Sequence, residues 1–271
     1  MTEAELILKS RELRIAVIKM LAEAGSGHAG GALGAADIFT FLYFNFLKHD
    51  PTNPNWKGRD YFLISNGHIV PIWYAALAYS GYFPITELST LRKLGSRLQG
   101  HPLNIVTPGI FNSSGPLAHG ITQATGVALG LKLDQLENRV YCYMSDGEQD
   151  EGAIWENMLI ANKYKLNNLT LILDLNKIQI DGDTKDIMPL PDLAKVYETC
   201  GFNVITIDGN NQREINQAFN QTSPLLTTKP NLIIANTIPG KGVSFMENSY
   251  EWHDWKGTPE IVAKALAELQ Y

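Results

Sequence analysis

Residues 140–152 read VYCYMSDGEQDEG. The run from Val140 to Met144 is apolar and aromatic, suited to a strand covered on both faces. It then turns at Gly147 and sets four acids, Asp146, Glu148, Asp150 and Glu151, just ahead of a helical stretch. A buried strand, a glycine turn and a helix in that order make up the repeating unit of a parallel α/β sheet. Working outward, YFLIS (61–65), LTLILDL (169–175), NVITI (203–207) and NLIIANT (231–237) are further short apolar runs. Helix candidates lie between them near 116–136, 153–165, 191–200 and 212–221.

The N-terminal part reads differently. Leu6, Leu13, Val17, Met20 and Leu21 fall near helical spacing, which predicts a helix over 3–24. A glycine-rich bend, GSGHAGGALG (25–34), follows, and AADIFTFLYFNFL (35–47) reads as a second, mostly buried helix. HDPTNPNWKGRD (49–60) is a polar surface connection. With no internal repeat or obvious linker, the expectation is α/β: a doubly wound, mostly parallel sheet with helices on both faces, forming one domain over 1–271.

Bulk properties exclude several classes. Net charge is −6 in 271 residues, which argues against nucleic-acid and membrane-surface binding. No apolar run approaches the roughly 20 residues that span a bilayer, and the charged N-terminus lacks a signal-peptide core. Two cysteines, Cys142 and Cys200, suit a reduced, cytoplasmic protein.

In open parallel sheets, ligands bind at the carboxyl ends of the strands. Those ends read SNGH (65–68), SDGEQDEG (145–152), DLNKIQIDG (174–182), IDGNN (207–211) and NTIPGKG (236–242), all polar or glycine-rich. Gly25–Gly30 matches G-x-G-x-x-G literally, but a charged amphipathic helix precedes it where a dinucleotide site needs a strand, so NAD binding is rejected. GKGVS (240–244) lacks the upstream glycine spacing of a P-loop.

The acids divide. Glu148, Asp150 and Glu151 are accounted for by the helix macrodipole, at about 0.3–1 kcal/mol each. Asp146 is not, because it lies at the strand end itself. Consecutive parallel strands would bring it beside Asn176, and a carboxylate, an amide oxygen and a backbone carbonyl form an oxygen set for Mg²⁺ or Ca²⁺. Phosphate oxygens from a ligand would complete that shell, and the cation would reconcile the acids with a phosphate at the helix N-terminus. Of six histidines, His28, His68 and His101 directly follow a glycine and His253 lies in a similar loop, a pattern suited to a shared anion-binding or proton-moving cleft rather than to zinc spacing. His49 reads as a surface residue.

Together these residues resemble the thiamine diphosphate-binding domain of transketolases. The family motif, a strand-end G-D-G followed some thirty residues later by Asn, reads here from Ser145-Asp146-Gly147 to Asn176. SGHAGGALGAADI, NPNWKGRDYFLISNGH, GSRLQGHP, SSGPLAHGI, EGAIWENMLIANKYKLNNLTLILDLN and PGKGVSFMEN each resemble a transketolase segment, in family order, over nearly the whole chain. The wording of WKGRD, GHIVP and GVSFMEN is most similar to the N-terminal half of split, two-subunit transketolases.

The resemblance implies thiamine diphosphate and Mg²⁺ or Ca²⁺ as cofactors. Asp146, Asn176 and the carbonyl of Ile178 would bind the metal; Gly147 and His68 would contact the diphosphate; Gly115, Pro116 and Leu117 would line the aminopyrimidine side. His28, His101 and His253 would hold donor hydroxyls and move protons, with His253 also against the cofactor. Glu151 and Glu156 match family acids at a subunit contact behind the cofactor. Two departures stand out: Ser145 replaces the first motif glycine, and GPLAHG sets His119, to which no role is assigned, where Gln is common. The pyrimidine-binding domain is expected on a partner chain, a C-terminal transketolase subunit, in an α2β2 assembly. The implied reaction moves a two-carbon ketol unit from a ketose to an aldose, with the cofactor as electron sink. The alternatives are a two-component enzyme acting on a 2-oxo acid, a non-catalytic partner subunit, and a Mg²⁺-dependent phosphotransferase.

Overall fold

In a computed structural model describing residues 1–270, helix α1 (Glu3–Ala24) opens the chain. Thr2 and Glu5 form a reciprocal capping box at its start, and Gly25 closes it in the left-handed conformation. The expected glycine bend and second helix become two short helices, α2 (Gly30–Gly34) and α3 (Ala36–Phe41), followed by a π-helical turn over Leu42–Phe46. Strand β1 (Tyr61–Ile64) leads into α4 (Val70–Tyr79), a helix apolar all round and so without an amphipathic period to announce it.

Helix α5 (His119–Leu133) precedes β2 (Val140–Ser145), and α6 (Gly152–Lys163) precedes β3 (Leu169–Leu175). A small hairpin not foreseen from the sequence, β4 (Ile178–Gln179) with β5 (Gly182–Asp183), leads to α7 (Thr184–Ile187) and α8 (Leu193–Thr199). Strand β6 (Asn203–Asp208), α9 (Gln212–Gln221), β7 (Asn231–Asn236) and α10 (Pro259–Gln270) complete the chain.

The main sheet is parallel throughout, in the order β1-β2-β3-β7-β6. Its two faces follow from the two-residue alternation of a strand. Tyr141 and Tyr143 join the layer that holds α1, α3, α4, α9 and α10. Val140, Cys142 and Met144 join the layer that holds α5, α6 and α8. Both faces are therefore covered, as the apolar runs require, and each Leu or Ile so buried contributes about 1.5–3 kcal/mol.

Register decides what meets at the functional edge. Ser145 pairs with Asp174, while Leu175 and Asp208 each pair with Asn236. The residues just past the ends of β1, β2, β3, β7 and β6 thus emerge side by side along one edge. They include His68, Asp146, Asn176, Thr237 and Gly209.

Candidate active site at the carboxyl edge of the sheet

Asp146 is the first residue past β2 and is 1% exposed. One carboxylate oxygen accepts the Gly147 N–H at 2.8 Å and the other the Lys177 N–H at 2.6 Å. Lys177 reaches it from a left-handed conformation, φ 67°. The strap 176–178 is thereby tied to the end of β2. Asn176 is oriented at both ends: its amide nitrogen donates to Asp174 at 3.2 Å and its oxygen accepts the Ile178 N–H at 3.1 Å. Asp174 is fully buried and also accepts a hydrogen bond from the Thr237 hydroxyl, so β7 braces the same point.

The electrostatics of this pair would suit a bound cation. Burial, and secondarily the charge of Asp174, pushes the Asp146 carboxyl up to about 7, and burial pushes Asp174 up to about 6. Neither acid has an ion-pair partner among the described residues. Two adjacent buried carboxylates beside an amide oxygen fit a hard divalent ion. A cleft of about 820 Å³ opens from Asp146, Asn176 and Ile178 toward Asn236, Thr237 and Asp208, a size suited to a small-molecule ligand.

Histidines lie on the other side of Asp146. The rings of His28, His68 and His253 meet in a triangle, with centroids 5.0, 5.3 and 5.3 Å apart. His28 comes from the bend after α1, His68 from the turn after β1, and His253 from the loop before α10. The Ala29 N–H donates to the His253 carbonyl at 3.2 Å, locking two of these loops together. Burial, and secondarily the neighbouring His253, lowers His28 to about 4. His68 and His253 are lowered chiefly by burial as well. His101 is exposed on the cluster's rim, near enough that its charge opposes protonation of His28 and His68. Its ring lies 3.7 Å from where a Cβ on Gly115 would stand, so His101 and the 115–117 segment flank one space.

The buried polar atoms without a partner among the described residues include, at this edge, Nδ1 of His28 and both amide atoms of Asn66, which is fully buried beside Gly67 and His68. Buried polar atoms are nearly always paired, so the edge fits a polar ligand that the chain itself does not supply. The Gly115–Leu117 segment is brought in by a close approach. A Cβ on Gly120 would stand 2.4 Å from Ser65 Cα, so only glycine lets the first turn of α5 press against the end of β1.

Two expectations are corrected. Glu148 is no solvated first-turn acid: it is fully buried, accepting the Ala118 N–H at 2.7 Å and the Ser145 N–H at 2.9 Å. The motif turn is a 3₁₀ helix, Gly147–Asp150, which swings Glu148 inward while Asp150 stays exposed. His49 is no free surface residue, since it is held between the Tyr82 hydroxyl at 3.1 Å and the Tyr43 carbonyl at 2.8 Å. His119 is exposed, and its ring hydrogen-bonds the Leu117 carbonyl at 3.0 Å. Glu151 and Glu156 lie exposed on or beside α6 near Trp155, Leu159, Ile160 and Tyr164, four large side chains that are also exposed.

Sequence reasoning passed over Asp174, Thr237 and Arg92. The Asp174 signal, an acid two residues ahead of Asn176 in LDLN, was present. Arg92 had none: it sits in a left-handed backbone conformation, φ 59°, with its guanidinium packed beside Gly27 and Gly100.

Over residues 7–265 the chain matches the family described as transketolase, thiamine diphosphate binding domain. The chain belongs to the transketolase family. It is 41% identical over 258 residues to the 6-deoxy-6-sulfo-D-fructose transketolase subunit SqwG of Clostridium sp. (strain MSTE9), covering 95% of this chain and 94% of that one. It is 36% identical over 262 residues to one of the apulose-4-phosphate transketolase subunits of Phocaeicola vulgatus, covering 97% and 92% respectively. Its structure superposes on transketolase from Campylobacter jejuni with a TM-score of 0.92 at 35% identity, covering 98% of this chain and 43% of that chain. The transketolase match takes in every strand of the sheet and the edge at which Asp146, Asn176 and the histidines meet.

Proposed function

We propose that this chain is the N-terminal, diphosphate-binding subunit of a heteromeric transketolase that moves a two-carbon ketol unit from a ketose phosphate to an aldose phosphate. The observation that carries the reading is the placement of buried Asp146 and of Asn176 at adjacent strand ends, tied by the Lys177 N–H, on the same edge as a cluster of neutral histidines. The relatives named as transketolase subunits support it, because this chain covers over nine-tenths of each.

In this reading Asp146, Asn176 and the Ile178 carbonyl would hold Mg²⁺ or Ca²⁺, which would offset the negative charge of the diphosphate of thiamine diphosphate. Gly147 and His68 contact that diphosphate, and Gly115, Pro116 and Leu117 line the aminopyrimidine side. When bound, the cofactor supplies the electron sink for carbon–carbon cleavage. His28, His101 and His253 hold sugar hydroxyls and move protons between them. Burial keeps His28 neutral near pH 7, so it accepts a proton without first losing one.

The chain acts as one cofactor-binding domain, and a C-terminal transketolase subunit with the pyrimidine-binding domain completes the site in an α2β2 assembly. The exposed apolar side chains of α6, with Glu151 and Glu156 among them, are the kind of surface that a subunit contact covers. Both cysteines are free, and no described helix is long and apolar enough to cross a membrane, which suits a cytoplasmic setting. Co-expressing the chain with its candidate partner and assaying ketol transfer with and without thiamine diphosphate and Mg²⁺ tests the proposal. Cofactor-dependent transfer by the pair, with none from either chain alone, is expected; a pair that binds no cofactor would overturn it.

A further inference from the structure

The histidine triangle carries a second chemistry. His28, His253 and Asp254 each offer one ligand atom, and these atoms all lie within 4.8 Å of one another. His28 Nε2 and Asp254 Oδ1 are already 3.2 Å apart. The two segments that supply them are fixed together by backbone. His28 and Asp254 form an antiparallel bridge, the Ala29 N–H donates to the His253 carbonyl at 3.2 Å, and the Trp255 N–H donates to the Gly27 carbonyl at 2.8 Å. His68 packs against both imidazoles from behind, and Nδ1 of His28 is buried with no partner. Asp254 stands on the open side, more than half exposed, and leaves a way in.

We propose that His28, His253 and Asp254 form a second divalent-metal site that takes Zn²⁺, chemically distinct from the oxygen set at Asp146. Two imidazoles and one carboxylate with an open fourth position are a zinc ligand set. Bonds of about 2.0–2.1 Å in tetrahedral geometry place ligand atoms about 3.3 Å apart. His28 and Asp254 meet that spacing as they stand, and His253 closes in by at most roughly 1.5 Å through a turn of its ring. Nitrogen ligands favour Zn²⁺ over Mg²⁺, whereas the hard set of Asp146, Asn176 and a carbonyl favours Mg²⁺. One edge of the sheet therefore sorts two metals by ligand type. A consequence, resting on the functional reading above, is that Zn²⁺ at this point occupies the histidines that would hold the sugar.

Co²⁺, whose visible absorption reports a low-symmetry site, tests the proposal on the purified full chain, with no partner or cofactor needed. Failure here is thus separate from failure of the transketolase reading. One Co²⁺ per chain is expected, displaced by Zn²⁺ and untouched by millimolar Mg²⁺. His28→Asn and His253→Asn should abolish the absorption, and Asp254→Ala should weaken the affinity more than about tenfold, beyond the smallest loss seen for an outer-shell partner. His119→Asn, which alters an exposed histidine outside the proposed ligand set, should leave it unchanged. Thermal melting guards against misfolded variants: Zn²⁺ should raise the melting temperature of the wild type and of His119→Asn but not that of folded His253→Asn. Absorption that survives in both His28→Asn and His253→Asn, or no stoichiometric binding by the wild type, would overturn the site.

Discussion

Replacing Glu148 with alanine unties the two ends of the site's scaffold. The buried carboxylate accepts one hydrogen bond from the left-handed residue Ala118 and one from Ser145 at the end of β2. It thereby joins the segment 115–118 to the metal-side strand. Glu148→Ala leaves two buried N–H groups unpaired, at about 1–3 kcal/mol each, or about 2–6 kcal/mol in all. Part is returned, because burial raises the Glu148 pKa and the mutant no longer buries a charge. The expected loss is therefore about 3 kcal/mol, in the lower half of that range. For a chain of this size it lowers the melting temperature by roughly 6–12 °C. Glu148→Gln keeps one acceptor oxygen and should lose about half as much. Differential scanning calorimetry on the isolated chain reads both. Melting of Glu148→Ala within roughly 2 °C of the wild type would refute the clamp.

Asp174→Ala should weaken thiamine diphosphate binding by the assembled enzyme about 10–100-fold, because Asn176 loses the acceptor that orients its oxygen; isothermal titration measures it, and unchanged affinity would leave Asp174 a purely structural acid. Gln135→Gly, at the exposed end of α5 where φ is 56°, should gain about 0.5–1 kcal/mol by relieving left-handed strain, with activity unchanged. The histidines set an acid limit to stability. His28 is held at about 4 in the folded chain against about 6.5 unfolded. Between those values the unfolded state binds the extra proton, so stability falls as pH drops from 6.5 to 4, by up to about 1.4 kcal/mol per pH unit for this residue. Urea unfolding across that range should show the slope shrink in His28→Asn; an unaltered slope would assign it elsewhere.

The sheet was legible because each strand is a short apolar run with both faces buried, and β2, β3, β6 and β7 match their expected ranges closely. Consecutive parallel pairing also brought Asp146 to Asn176 without any knowledge of side chains. What sequence could not give was direction. Four acids in one turn look alike on paper, yet the 3₁₀ geometry of Gly147–Asp150 buries Glu148 and exposes Asp150. Helix α4 was missed because a helix apolar on every side has no period to read. The β4–β5 hairpin was missed because it has only two residues per strand. Meeting of His28 with His253 depends on a bridge between segments over 200 residues apart, which local pattern cannot reveal.

The most direct test of the central claim is a titration of thiamine diphosphate with Mg²⁺ into the two-subunit complex, comparing the wild type with Asp146→Ala. The wild type should bind one cofactor per active site, only when the divalent cation is present. Asp146→Ala should bind none, because the diphosphate loses the cation that offsets its charge. Cofactor affinity that persists in Asp146→Ala would contradict the account.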